Sequence, residues 1–192
     1  MIITVHQPDF VPWLGFFDRW EKSDLYIVLD DVQFIRRGWY HRDKIKTQNG
    51  IKWITVPVHK KGRYHQTIKE VKIDHHENWR QRHLETIQMA YKKAPNFDIV
   101  YGRLSEIYNR DHDLLINFNM TLLRLCSKML GMNTPVVFAS EFNVKSTGSR
   151  RLVDLVKSVE GKEYLTGSGS KDYLDEELFK QAGINVCWQK FE

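Results

Sequence analysis

Short apolar runs alternate with helix-spaced apolar stripes along this chain of 192 residues. Residues 2–5 predict a first strand, ended by His6-Gln7-Pro8, and Pro8 and Pro12 then break regular structure. Residues 13–22 carry Leu14, Phe17, Trp20 and Glu21 at helical spacing. Residues 25–29 predict a second buried strand, closed by Asp30-Asp31. Such a strand–helix–strand opening favours a parallel pair with a right-handed crossover. Residues 52–58 and 67–74 read as two further strands, the second alternating at Lys69, Val71 and Ile73. The turn Lys60-Lys61-Gly62-Arg63 between them predicts an antiparallel hairpin.

Three helices follow. Residues 78–93 place Leu84, Ile87 and Tyr91 on one face, and residues 97–109 do the same with Val100, Leu104 and Ile107. Residues 113–130 carry Leu114, Phe118, Leu122, Leu125 and Met129, with Gly131 as the stop. The last third predicts a strand at 136–139, a helix at 149–159 and a strand at 163–166. A helix at 172–182, stopped by Gly183, and a strand at 184–188 complete it. A βαβαβ run is the signature of a parallel sheet covered by helices. The expected fold is α/β, a Rossmann-like, mainly parallel sheet flanked by helices, with a β-hairpin and a helical insertion at 78–131. One domain, 1–192, is expected to hold all of it.

Composition narrows the class. At 42% apolar and 28% charged residues the chain is an ordinary globular one. No stretch approaches the ~18–20 apolar residues of a membrane helix. Nor does the N-terminus show a basic region followed by an apolar one, as a secretory signal would. Cys126 and Cys187 lie far apart, which excludes a disulfide framework and a zinc ribbon. A cytosolic protein is the expectation. The net charge of +5 is uneven: residues 36–63 hold nine Lys or Arg against Asp43 alone. That segment suits an anionic partner, whether phosphate, nucleotide or nucleic acid, although a solvated basic face would look the same.

Parallel sheets gather ligands beyond the carboxyl ends of their strands, so candidate residues are sought there. After the first strand come His6, Gln7 and Trp13; a histidine there can bind phosphate or act as acid or base near neutrality. A structural histidine bonded to backbone is the alternative. After the second come Asp30, Asp31 and Gln33. Adjacent carboxylates can hold a divalent metal, orient a sugar hydroxyl or act as a base, or simply cap a turn. Arg42 and Lys44 follow in the basic segment, with Trp39 and Tyr40 among the cations. After 136–139, Lys145-Ser-Thr-Gly-Ser-Arg150-Arg151 opens a helix and offers Arg150 to an anion. After 163–166, Gly167-Ser168-Gly169-Ser170-Lys171-Asp172-Tyr173 makes a glycine-rich turn suited to phosphate. It is neither a P-loop nor a full GxGxxG, because Asp172 takes the third glycine position. His83, one turn from Trp79 and Ile87, reads as a satisfied core histidine. No HExxH or GxSxG is present, and no metal-ligand set or cofactor is assigned.

Several of these motifs together resemble the WbqC-like family. They are the opening Ile-Thr-Val-His-Gln-Pro-Asp-Phe-Val-Pro-Trp-Leu-Gly-Phe-Phe-Asp, Leu-Asp-Asp-Val-Gln-Phe near residue 30, Arg42-Asp-Lys-Ile-Lys and Ile-Thr-Val-Pro-Val at 54–58. Trp79-Arg80 with His83, Arg151-Leu-Val, and Tyr164-Leu-Thr-Gly-Ser-Gly-Ser-Lys-Asp-Tyr-Leu174 complete the set. The resemblance covers nearly the whole chain. It implies bacterial surface polysaccharide (O-antigen) work on a nucleotide-linked sugar or its amino group, by acyl or aminoacyl transfer. Implied roles are acid/base chemistry for His6, orientation of sugar or metal by Asp30 and Asp31, and phosphate binding by Arg42, Lys44, Arg150 and the 167–170 turn. Two other readings stand beside it: an RNA- or tRNA-binding module using residues 36–63, and a non-catalytic nucleotide-sugar-binding partner. Members usually carry an Asn-Arg-Asn-like element where this chain has His41-Arg42-Asp43. They also continue past the last strand, which implies a truncated C-terminus here.

Overall fold

The structure, a computed structural model, describes residues 1–191. It divides into two compact units. The first comprises Met1–Gln7, Trp13–Asp31 and the chain from Leu130 onward; the second comprises Pro8–Pro12 and Val32–Met129.

The first unit is built on five parallel strands: β1 (Ile2–His6), β2 (Leu25–Val28), β5 (Val136–Phe138), β6 (Glu163–Thr166) and β7 (Asn185–Trp188). Their order is β5-β2-β1-β6-β7. The chain winds outward from β1 to one side, then returns and winds to the other. That is the doubly wound, Rossmann-like arrangement, and its direction reverses between β1 and β6. The two faces of β1 read directly from the sequence alternation. Ile3 and Val5, with Ile27 of β2, pack with Val153, Leu155 and Val156 of α5 (Gly148–Ser158) and Phe179 of α6 (Glu176–Gln181). On the other face, α1 (Leu14–Glu21) lays Phe16 against His6 and Tyr26, and Trp20 against Tyr26.

The second unit pairs a hairpin with three helices. β3 (Arg42–Thr47) runs antiparallel to β4 (Gly50–Thr55), and α2 (Trp79–Tyr91), α3 (Phe97–Asn109) and α4 (Leu115–Met129) follow. Ile54 and Val56 share one core with Trp79, Tyr108, Leu115, Phe118 and Leu122.

Three expectations need correction. The hairpin is not 52–58 with 67–74. Its turn is Gln48-Asn49, closed by Gly50 at φ +99°, a conformation glycine adopts without a Cβ penalty. Pro57 lacks the N–H a longer strand would need, so 52–58 and 67–74 meet only through the single bridge Val58–Ile73. Residues 68–70 form a 3₁₀ turn, with Thr67 Oγ1 donating to Glu70 at 2.8 Å. The fully buried residues of α2 are Trp79, His83 and Thr86; of the expected stripe Leu84, packed on that core, and Ile87 are half-buried, and Tyr91 is exposed. Finally, α6 begins at Glu176, not near 172, because Asp175 caps it by accepting from the amides of Glu177 and Leu178.

Candidate functional site

Because β1, β2, β5 and β6 are parallel neighbours, the residues after them share one edge of the sheet. His6 ends β1. Its Nδ1 lies 2.9 Å from the Gln7 carbonyl, which can only accept, so the ring carries its hydrogen on Nδ1 and Nε2 is the basic nitrogen. Tyr26 fixes this end of the strand by donating to the His6 carbonyl at 3.1 Å. Burial, and then the nearby Arg19 guanidinium, lower the His6 pKa to about 4. The ring is therefore neutral throughout the physiological range.

Arg19 sits in the last turn of α1 and is only 7% exposed. It donates to Gln189 Oε1 at 2.9 Å. Gln189 in turn donates through Nε2 to the Gly15 carbonyl and to Asp18 Oδ2, both at 2.7 Å, and its own amide bonds Thr166 O at 2.8 Å. One residue, through its side chain and its amide, thus ties α1 to the end of β6. Gly167 follows β6, and a Cβ there would stand 2.7 Å from Arg19 Nη1. Glycine at 167 lets the guanidinium lie against the backbone, at the reversal between β1 and β6. Beyond it, Ser168–Ser170 turn in a 3₁₀ helix, and Ser170 Oγ meets Thr166 Oγ1 at 2.9 Å. Ser168 and Gly169 are exposed, as is Asp172. Tyr173, 70% exposed, offers its carbonyl to Ser149.

The carboxylates after β2 are both engaged. Asp30 is buried and accepts from the Ser140 amide at 2.9 Å and its hydroxyl at 2.6 Å, which joins the end of β2 to the turn after β5. Asp31 pairs with Arg151 at 2.5 Å. Arg151 also donates to the carbonyls of Val144 and Ser146. The arginine that reaches this edge is therefore Arg151; Arg150 lies exposed on the helix surface, paired with Asp154 one turn on. Trp13 is exposed before α1, its ring edge-on to Phe191 at 4.9 Å. Among the described residues no group of His, Cys, Asp and Glu is clustered to hold a metal.

Gln33, Arg42 and Lys44 belong to the second unit. Gln33 donates to the Tyr64 carbonyl at 3.0 Å. Arg42 and Lys44 approach the Trp53 ring at 4.4 and 5.0 Å. His41 is buried against Phe34 and donates to Val56 O at 3.1 Å. His83 is the satisfied core histidine expected. Nδ1 meets the Tyr108 hydroxyl at 3.2 Å, and Nε2 lies 3.1 Å from both the amide and the carbonyl of Thr55.

Sequence reasoning missed Arg19 and Gln189, and of the neighbours Arg150 and Arg151 it chose Arg150. An arginine inside a helix reads as solvated, and only its place on the buried side of α1 beside Gly15, Phe16 and Trp20 hints otherwise.

The sequence matches the WbqC-like protein family over residues 7–192. The chain belongs to the WbqC-like protein family. It is also similar to "Uncharacterized protein Rv1507c" of Mycobacterium tuberculosis (strain ATCC 25618 / H37Rv), 32% identical over 191 residues that cover 99% of this chain and 82% of that protein. No solved structure matches it. Among the described residues of this WbqC-like chain, no helix is long and apolar enough to cross a membrane.

Proposed function

We propose that this WbqC-like protein serves bacterial surface polysaccharide (O-antigen) biosynthesis as a transferase. It acts on a nucleotide-linked amino sugar by acyl or aminoacyl transfer. The observation that carries the reading is the buried Arg19 held against Gly167 beside His6, at the point where the parallel sheet reverses. Such a crevice receives nucleotide phosphates in doubly wound sheets, and a buried guanidinium supplies the charge they need. The turn from Gly167 to Ser170, with Asp172 and Tyr173 after it, lies beyond the same strand end and faces the diphosphate. Gln7, next to His6, and Trp13, just before α1, are assigned to the same substrate. Asp30 and Asp31, pinned by Ser140 and Arg151, hold the edge in shape and orient the sugar.

The chemistry follows from a neutral His6. The sugar amine attacks the acyl carbonyl of a thioester or ester donor, an N–C bond forms, and the C–S or C–O bond breaks. Nε2 takes the proton that the amine gives up and returns it to the departing thiolate or alkoxide. A base held near 4 is weak. A bound phosphate offsets the Arg19 field, raises the histidine and makes it a better base when substrate is present.

The test combines thermal shift with transfer. A nucleotide-linked amino sugar at ~100 times its Kd should stabilise the native state by about 2.7 kcal/mol. Arg19→Lys should lose that shift. His6→Ala should keep it and slow transfer from an acyl thioester or an aminoacyl ester ~10²–10⁴-fold. Full turnover by His6→Ala, or no shift with any nucleotide sugar, overturns the assignment.

A further inference from the structure

The hairpin of the second unit has two unlike faces. The register pairs Arg42 with Thr55, Lys44 with Trp53 and Lys46 with Ile51. Because side chains alternate along a strand, all six residues share one face. The opposite face carries Ile45 and Ile54 into the core. The outward face therefore holds three cations, a tryptophan and an isoleucine, and no acid. Asp43 lies on the other face and accepts the Lys44 amide at 2.6 Å.

The apolar members of this face are far from buried. Ile51 is 74% exposed, Trp53 41%, and Trp39, from the preceding loop, 49%. Trp39 stacks on Trp53 with centroids 5.5 Å apart. Arg42 and Lys44 approach the same Trp53 ring. Ile35 opens the turn that leads into Trp39 and is 60% exposed. Solvent gives no return for leaving two tryptophans and two isoleucines outside a core.

We propose that this face docks the protein on an anionic phospholipid membrane. Tryptophan settles at the headgroup level, where its ring is half in hydrocarbon and half in water. Lysine and arginine stems lie along apolar surface while their charges reach lipid phosphates. Ile51 is the residue that enters the acyl boundary. The uncompensated positive charge of the face selects anionic headgroups. A single-stranded RNA fits less well: base stacking needs open ring faces, whereas the Trp53 ring already meets Trp39, Arg42 and Lys44, and Ile51 has no task on a polar strand.

The full chain is mixed with vesicles of phosphatidylcholine alone, with vesicles that also contain phosphatidylglycerol, and with single-stranded polyuridylate. Sedimentation with the anionic vesicles only, and quenching of tryptophan fluorescence by lipids brominated near the headgroup, are expected. Lys44→Glu/Lys46→Glu should weaken partitioning at least about tenfold, and Trp39→Ala/Trp53→Ala should do likewise. Ile51→Ser, at the most exposed apolar position of the face, gives a variant with no reason to misfold and should weaken binding severalfold at unchanged melting temperature. No vesicle binding, equal binding to neutral and anionic vesicles, equal binding by all three variants, or tight binding to polyuridylate without vesicles overturns the proposal.

Discussion

Two histidines with lowered pKa values mark two regions of this molecule. His6 at the sheet edge and His83 in the core of the second unit are both held near 4, and in both the main cause is burial. Their wiring differs. The His83 ring is set among Phe10, Trp79 and Tyr108, and both of its nitrogens meet partners within the core. His6 stands where a parallel strand ends, and its second influence is a buried arginine rather than a carbonyl. A perturbed pKa thus reports burial in both places, but only one of the two lies where a sheet of this topology receives ligands.

The largest expected effect separates them by stability. His83→Ala removes a ring from a packed core and strips partners from Tyr108 and Thr55, and it should cost ~3–5 kcal/mol in urea unfolding. His6→Ala should cost much less. Equal losses would make His6 a core residue too and erase the contrast.

The contrast was partly legible in the sequence. The first strand, its terminal histidine, β6 at Glu163–Thr166 and α3 at Phe97–Asn109 follow from apolar runs and helical periods. The basic hairpin was not legible as one. Arg42–Thr47 reads as a polar segment because Ile45 is its only apolar residue, and its strand partner is announced by Asn49-Gly50 rather than by any apolar alternation. The face of α2 was misplaced for a related reason: His83 and Thr86 count as polar, yet each is buried because a hydrogen bond satisfies it. The pairings of Arg19 with Gln189 and Arg151 with Asp31 span 170 and 120 residues, beyond any local pattern.

A second prediction uses acid. Between its folded value of about 4 and the unfolded value of 6.5, His83 binds a proton only in the unfolded chain. Protons in that window favour unfolding, so stability is full above about 6.5 and falls as the pH drops toward 4. For His83 the loss approaches ~3 kcal/mol. His83→Gln should lower stability at pH 7 but flatten this slope. An unchanged slope would mean that other groups carry the acid sensitivity.

The smallest expected effect concerns the carboxylate beside the His6 edge. Asp30 is buried and accepts two hydrogen bonds from Ser140, one from the amide and one from the hydroxyl. Ser140→Ala keeps the first and deletes the second. It should cost ~1–3 kcal/mol, the penalty for a buried acceptor that loses one donor. If Asp30 is a strut that holds the ends of β2 and β5 together, transfer should survive this loss nearly intact once the protein is assayed well below its melting temperature. The reason is that the amide bond still fixes the carboxylate. A fall in transfer comparable to that of His6→Ala, at unchanged substrate-induced thermal shift, would instead make Asp30 a group that touches the reacting atoms. The sheet edge would then work through a histidine–carboxylate pair, and the difference between its histidine and the one in the core would lie in that partner rather than in Arg19.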